Sequence, residues 1–203
     1  MPNILKHLFI HTTATPKGRW VSKEDIIRWH TAPPPYGYGW RVAGYNYVVL
    51  LHGKQPVVPN DFLVDNPECI IRVIRPINFD NIMQPNEIVF HAGPAYNPNS
   101  HAICYVGGMS ADMTRPEDTR TPDQIQAMNT FIRYFISKME ELGHQFTILG
   151  HNQVDNKACP SFFVPCYLRS IGVNSRYIDN RDPFGYRNYF ARLYRNPCYG
   201  AVL

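Results

Sequence analysis

The sequence predicts an α/β fold in which a mixed central β-sheet is flanked by helices. Short apolar runs alternate with polar loops, and two longer segments carry apolar residues at helical spacing. The chain has 203 residues, of which 44% are hydrophobic, so it can bury one sizeable core. Because helices are interspersed between the candidate strands, we expect one sheet with its faces covered, in one domain with an appendage.

Six segments are predicted as strands because each is a short apolar run. In chain order they are residues 4–10, 45–51, 69–74, 88–90, 102–106 and 146–149. Functional groups are expected where these strands pass into loops, since loops on a rigid scaffold carry most binding and catalytic residues.

Two helices are predicted from their start signals. Ser22 with an acidic residue at position 25 indicates a helix that runs to about His30. Thr121 followed by Pro122 is the stronger start, and Gly143 marks the end of that helix. Its apolar residues recur at helical spacing, which predicts one buried face: Ile125, Met128, Ile132, Phe135, Met139 and Leu142.

Three candidate metal ligands stand where predicted strands end. His11 follows the first apolar run, and His151 and Cys159 share a loop after residues 146–149. Imidazole and thiolate both suit zinc, and catalytic zinc sites commonly keep three protein ligands and an open position. Such a metal activates water for hydrolysis, and Lys157 would add a nearby cation. Each residue also has an ordinary alternative, such as a hydrogen-bonded structural histidine or a solvated lysine.

Four ordered motifs carry a family resemblance. They are residues 9–15 (FIHTTAT), 42–47 (VAGYNY), 91–93 (HAG) with Tyr96-Asn97 and 106–108 (VGG), and His151 with 157–162 (KACPSF). Together they resemble the zinc-dependent N-acetylmuramoyl-L-alanine amidases of the bacteriophage T7 lysozyme type, which are relatives of the peptidoglycan recognition proteins. The resemblance covers about residues 4 to 163.

The resemblance implies one zinc ion per chain, held by His11, His151 and Cys159, with Tyr45 and Lys157 as catalytic side chains. Lys157 suits the stabilisation of a developing oxyanion. Tyr45 would hydrogen-bond either the attacking water or the oxyanion, and the sequence leaves both roles open.

The same resemblance places His91 and Asn97 in the substrate cleft, as substrate-binding residues. The alternative is that they only satisfy backbone groups of a turn.

The function implied is hydrolysis of the amide bond between N-acetylmuramate and L-alanine in peptidoglycan, and we expect the enzyme to be a phage endolysin. A variant of this prediction is that the amidase is virion-associated or bacterial. Two alternatives from other classes are a non-catalytic peptidoglycan-binding protein and an interaction protein in which zinc only holds the fold.

Composition limits the partners. The net charge of +4 gives no strong case for nucleic acid but suits an anionic wall polymer. We expect no membrane span and no secretory signal, hence synthesis in the host cytoplasm and a separate membrane-permeabilising protein for access to the wall. The oligomeric state stays open.

Domain organisation is predicted as an amidase domain over residues 1–164 and a C-terminal extension over 165–203. Residues 56–87 form either an insertion near the cleft rim or a longer hairpin. The extension is expected to pack on the core as a strap, with a glycan-gripping surface as the alternative. The Pro- and Gly-rich loop 33–39 is expected to border the cleft.

Five cysteines argue against a disulfide framework. Cys69 and Cys104 lie in apolar runs and are expected to be small buried residues. Cys166 and Cys198 would pair only in an oxidising compartment.

Overall fold

A five-stranded sheet forms the centre of the computed structural model, which describes residues 2–195. Its strands are β2 (His7–Thr12), β4 (Tyr47–Val49), β5 (Ile71–Val73), β7 (Ser100–Tyr105) and β9 (Thr147–Gly150). They lie in the order β5-β4-β7-β2-β9. All neighbours pair in parallel except β5, which is antiparallel at the edge. The predicted mixed sheet is confirmed.

Two smaller strand pairs flank the sheet. β1 (Asn3–Ile4) pairs with β6 (Ile82–Met83), and β3 (Thr15–Pro16) pairs with β8 (Gly108–Met109). The single first strand predicted over residues 4–10 is therefore divided between two sheets. The division follows from residues 5 and 6, whose backbone N–H groups donate to the carbonyls of Asn81 and Asn99.

Both predicted helices form with their predicted caps. Helix α1 (Lys23–Thr31) begins with a capping box between Ser22 and Asp25. The long helix (Pro122–Glu141), α3 in chain order, begins with a capping box between Thr121 and Gln124. Further helices are α2 (Asn60–Leu63), α4 (Val164–Ser170) and α5 (Tyr186–Tyr194). Three short 3₁₀ turns lie at Asn97–Asn99, His151–Gln153 and Ser175–Tyr177. Within the described residues, no helix combines the length and apolar character needed to cross a membrane.

The central strand β2 sends its side chains to two different environments, because successive residues of a strand face opposite sides of a sheet. Leu8 and Ile10 are fully buried in the main core, which includes the apolar face of α3. Phe9 and His11 lie on the opposite face, where their rings contact each other. The sheet is thus packed by α3 on one side and leaves room for polar chemistry on the other.

The strand predicted at residues 88–90 is wrong. This segment is irregular and follows a turn in which Glu87 N–H donates to the carbonyl of Gln84. The Glu87 carboxylate also accepts from the backbone N–H groups of Asn78 and Gln84. Val89 in this irregular segment is fully buried, so its apolar character reflects burial and not strand pairing.

The C-terminal segment packs on the core. Phe190 and Ala191 of α5 bury against Phe163 and Cys166. The hydroxyl of Tyr194 donates to the carbonyl of Ser161 at 2.6 Å. Residues 196–203 lie outside the described part of the chain, and so does the predicted alternative that Cys166 pairs with Cys198. Cys69 and Cys104 are buried, as predicted.

A partly buried ion pair at the edge of the sheet joins α1 to the edge strand β5. Arg72 on β5 forms two parallel hydrogen bonds to Asp65, at 2.9 and 2.8 Å, and Lys23 at the start of α1 contacts the same carboxylate at 2.5 Å. Burial opposes ionisation of Asp65, but the hydrogen bonds from Arg72 and Lys23 outweigh it and lower the pKa to about 2.

We therefore expect Asp65→Asn to lower the free energy of unfolding by about 2 kcal/mol at pH 7. Because the folded pKa lies below the unfolded one, this contribution is complete above about pH 4 and is lost as pH falls towards about 2. Urea unfolding at several pH values measures the difference. Glu68→Gln, at an exposed ion pair with Lys54, is the control and should change little. A pH-independent gap between wild type and Asp65→Asn would contradict the assignment.

Candidate active site

An open cleft of about 1020 Å³ lies on the face of the sheet that carries His11. Its walls come from residues 11–14, 29–45, 90–97 and 151–159. The loop 33–39 borders the cleft through Pro35 to Tyr38, as predicted. No residue of 56–87 lines it. That segment instead supplies the edge strand β5 and Phe62, which packs on Phe131 of α3.

The three candidate metal ligands converge at the floor of the cleft. One donor atom each of His11, His151 and Cys159 lies within 4.8 Å of the others. The Cys159 sulfur is 3.5 Å from Nδ1 of His11, and the two histidine rings are 4.9 Å apart. His11 is held by strand pairing near the end of β2, whereas His151 and Cys159 come from the loop that follows β9. The sheet therefore brings together residues that are 148 positions apart.

Burial sets the charge states of these groups. It lowers the pKa of His11 well below its usual range, with a further effect from the neighbouring His151, and lowers that of His151 to about 4. Burial also raises the pKa of the Cys159 thiol to about 12, although the Thr12 N–H that donates to its sulfur opposes this shift. Two neutral imidazoles and one thiol form a donor set that suits Zn²⁺. A bound zinc ion favours the deprotonated thiolate form of the cysteine.

Tyr45 and Lys157 both line the same cleft. The Tyr45 ring lies 5.3 Å from the His11 ring, and burial raises the pKa of its hydroxyl well above the usual value. The Lys157 side chain is 62% exposed, and its Nζ is 2.7 Å from Asp155. Asp155 also lies 3.6 Å from Nε2 of His151. Sequence reasoning missed Asp155, although a carboxylate between two candidate site residues was visible in the loop.

The substrate-binding role predicted for His91 and Asn97 is not tested by these contacts. Both residues line the cleft. Asn97 Oδ1 accepts from the backbone N–H groups of His91 and Ala92, at 3.1 and 2.9 Å, so it satisfies the turn as the alternative proposed. His91 is only 8% exposed, and its two ring nitrogens already contact His11 and Ser100.

A stack of aromatic rings forms one wall of the cleft. The rings of Tyr38, Trp40 and His30 contact one another, with centroids 5.0 Å apart for Tyr38–Trp40, 4.9 Å for His30–Trp40 and 6.1 Å for His30–Tyr38. Nδ1 of His30 accepts the backbone N–H of Gly44 at 2.9 Å, which fixes the turn just before Tyr45. Sequence reasoning missed His30 and Trp40 as cleft residues. Their pairing depends on the fold of the loop, because they are separated by the whole of residues 31–39.

A mixed sheet with an open cleft and a His–His–Cys cluster at its floor, whose donor atoms lie within 4.8 Å of one another, is an arrangement typical of the class of hydrolytic enzymes. The model of the N-acetylmuramoyl-L-alanine amidase family matches residues 2–162. The chain therefore belongs to the N-acetylmuramoyl-L-alanine amidase family. It hydrolyses the amide bond between N-acetylmuramate and L-alanine in peptidoglycan, as the motifs predicted.

Relatives and solved structures agree with this membership. The endolysin of Escherichia phage T7 is 25% identical over 155 residues, covering 76% of this chain and 80% of that protein. The endolysin of Klebsiella phage KP32 is 27% identical over 158 residues, covering 76% and 80%. In fold, the chain is similar to a peptidoglycan recognition protein, PGRP-SA, of bumblebee, with a TM-score of 0.53 at 17% identity over 89% of this chain and 90% of that one. The amidase endolysin LysCS from Clostridium intestinale gives 0.52 at 17% identity over 85% and 86%.

We expect the cluster to bind one divalent metal ion per chain, and Cys159→Ala to weaken that binding by at least about 100-fold because it removes a ligand. Titration of the metal-depleted protein with Co²⁺ measures this through the absorption band of a cobalt–thiolate bond. Cys69→Ala is the matched control, since Cys69 is a buried cysteine outside the cleft. An unchanged cobalt–thiolate band in Cys159→Ala would exclude Cys159 as a ligand.

Proposed function

We propose that the chain hydrolyses its amide substrate with one Zn²⁺ held by His11, His151 and Cys159. The convergence of their donor atoms within 4.8 Å is the observation that carries this proposal. Zinc supplies Lewis acidity, which makes a nucleophile available from water at neutral pH and polarises a carbonyl. An open cleft above the cluster favours a catalytic site over a sealed structural one.

Lys157 is proposed to stabilise the negative charge that develops on the carbonyl oxygen of the substrate. Its ammonium group carries the required charge, and a preorganised donor of this kind is worth about 100- to 1000-fold in rate. Its Nζ lies 2.7 Å from Asp155, whose carboxylate is also 3.6 Å from Nε2 of His151, so the ammonium group stands beside the cluster.

Tyr45 is proposed as a neutral hydrogen-bond donor. Because burial raises the pKa of its hydroxyl, Tyr45 keeps its proton at neutral pH. Its ring lies beside His11, so its hydroxyl suits either the attacking water or the developing oxyanion. A bond to the attacking water and a bond to the oxyanion both require the same neutral phenol, so the proposal includes both roles.

The biological role proposed is that of a phage endolysin. Similarity to the endolysins of phages T7 and KP32 over about four fifths of their length supports it. Acting on the wall from the cytoplasm of the host would then require a separate membrane-permeabilising protein. We propose the division into an amidase domain at 1–164 and an extension at 165–203 that serves as a strap, because α5 packs on Phe163 and Tyr194 bonds to Ser161.

The proposal predicts zinc-dependent release of stem peptides. Purified peptidoglycan digested with the protein should yield peptides with a new L-alanine amino terminus in mass spectra, and a chelator should abolish them. Lys157→Ala should keep its zinc yet lose about 100- to 1000-fold in turnover, because it removes the cation that stabilises the developing oxyanion and leaves the metal ligands in place.

Lys54→Ala is the matched control, because Lys54 is an exposed lysine paired with Glu68 outside the cleft. Normal turnover in zinc-loaded Lys157→Ala would remove Lys157 from the reaction. Intact wall after incubation with the zinc-loaded wild type would instead favour a non-catalytic peptidoglycan-binding protein.

A further inference from the structure

A chain of buried hydrogen bonds leads away from the His–His–Cys cluster into the protein. Nε2 of His11 lies 3.0 Å from Nδ1 of His91, and Nε2 of His91 lies 2.9 Å from Oγ of Ser100. The Ser100 hydroxyl donates to the backbone carbonyl of Tyr96 at 2.8 Å. His11, His91 and Ser100 are 1%, 8% and 0% exposed, so water does not compete readily for these bonds.

The last link fixes the direction of the whole chain. A carbonyl oxygen can only accept, so the single proton of the Ser100 hydroxyl is used on Tyr96. Oγ of Ser100 must then accept from His91, which places the His91 proton on Nε2. A neutral imidazole carries one ring proton, so Nδ1 of His91 is an acceptor.

The neutral form of His91 follows from its surroundings. Its two hydrogen-bond partners are an imidazole and a hydroxyl, neither of which is an acid. A buried imidazolium without a carboxylate partner carries a large desolvation cost. With Nδ1 of His91 accepting, the proton of His11 lies on Nε2. The lone pair of His11 is then on Nδ1, the nitrogen that is 3.5 Å from the Cys159 sulfur.

We propose that His91 and Ser100 are positioning residues that set the tautomer of His11, so that Nδ1 of His11 presents its lone pair to the metal before the metal binds. This inference rests on the proposed metal site and gives His91 a role other than substrate binding. Partners of this kind orient ligating histidines and raise their basicity.

The segment from Tyr96 to Ser100 also fixes the turn that carries His91. Asn97 accepts both backbone N–H groups at the start of the turn, and Tyr96 supplies the carbonyl that ends the chain of hydrogen bonds. Ser100 begins β7 and is paired with His7 of β2, so the sheet sets its distance from His11. Strand pairing and the Asn97 turn therefore hold Ser100 and His91 in place relative to the strand that carries His11.

The first test needs no substitution. Nitrogen-15 chemical shifts of the histidine rings distinguish the two tautomers in the full-length, metal-depleted protein. We expect both His11 and His91 to carry their proton on Nε2. A proton on Nδ1 of either ring, or a doubly protonated His91 at neutral pH, would overturn the proposal.

The second test uses variants and metal affinity. His91→Phe keeps a buried ring without an acceptor and should weaken Co²⁺ binding by about 10- to 100-fold. Ser100→Ala should weaken it by about 10-fold and allow His11 to populate the other tautomer. Ser110→Ala is the matched control, because Ser110 is a buried serine whose hydroxyl bonds to Asp112 instead. Unchanged affinity in folded His91→Phe would refute the role.

Both readouts are independent of turnover. If the expected tautomers and affinities are found but no stem peptide is released from peptidoglycan, the proposed catalysis fails while the positioning role stands. If stem peptides are released but His11 carries its proton on Nδ1, the positioning role fails alone.

Discussion

The parallel pairing of β2 between β7 and β9 is the constraint on which the rest of the structure depends. Because both edges of β2 are paired, its side chains can only alternate between the two faces of the sheet. One set, Leu8 and Ile10, closes the core against α3. The other set, Phe9 and His11, lies on the cleft face. A shift of one residue in register would exchange these sets, placing an imidazole in the apolar core and an isoleucine beside His151 and Cys159.

Burial then turns this geometry into chemistry. His11 is nearly inaccessible, so its imidazole is neutral, and its two nitrogens have different partners on opposite sides of the ring. One nitrogen faces Cys159 and the other contacts His91. The same desolvation keeps the imidazoles of His11 and His151 unprotonated, so each has a free lone pair that can act as a metal ligand without first losing a proton. The burial of His11 therefore has two consequences: it stabilises the strand, and it keeps the imidazole in the neutral form that a ligand needs.

The two sides of the cleft are built differently. The floor comes from strand ends and the loop after β9, whose residues belong to the segment matched by the amidase family. One wall comes from the loop after α1, where Tyr38, Trp40 and His30 stack on one another. Tyr38 and Trp40 expose their rings at this wall, whereas His30 is buried and contacts Tyr45. The segment 56–87 stabilises the sheet edge through Asp65 and Phe62 and takes no part in the cleft.

By itself, the sequence determined the sheet class and both capped helices. It also identified His11, His151 and Cys159 as members of one group. Each of these follows from a local pattern, namely helix caps, apolar spacing or ordered motifs. Local patterns also misled: residues 88–90 are apolar enough for a strand, yet they are irregular, and Val89 is buried without strand pairing. The partners of His91 were decided only by tertiary structure. His11, His91 and Ser100 acquire their order when β2 and β7 pair in one register, since hydrogen bonds between residues far apart in the chain have no local signature.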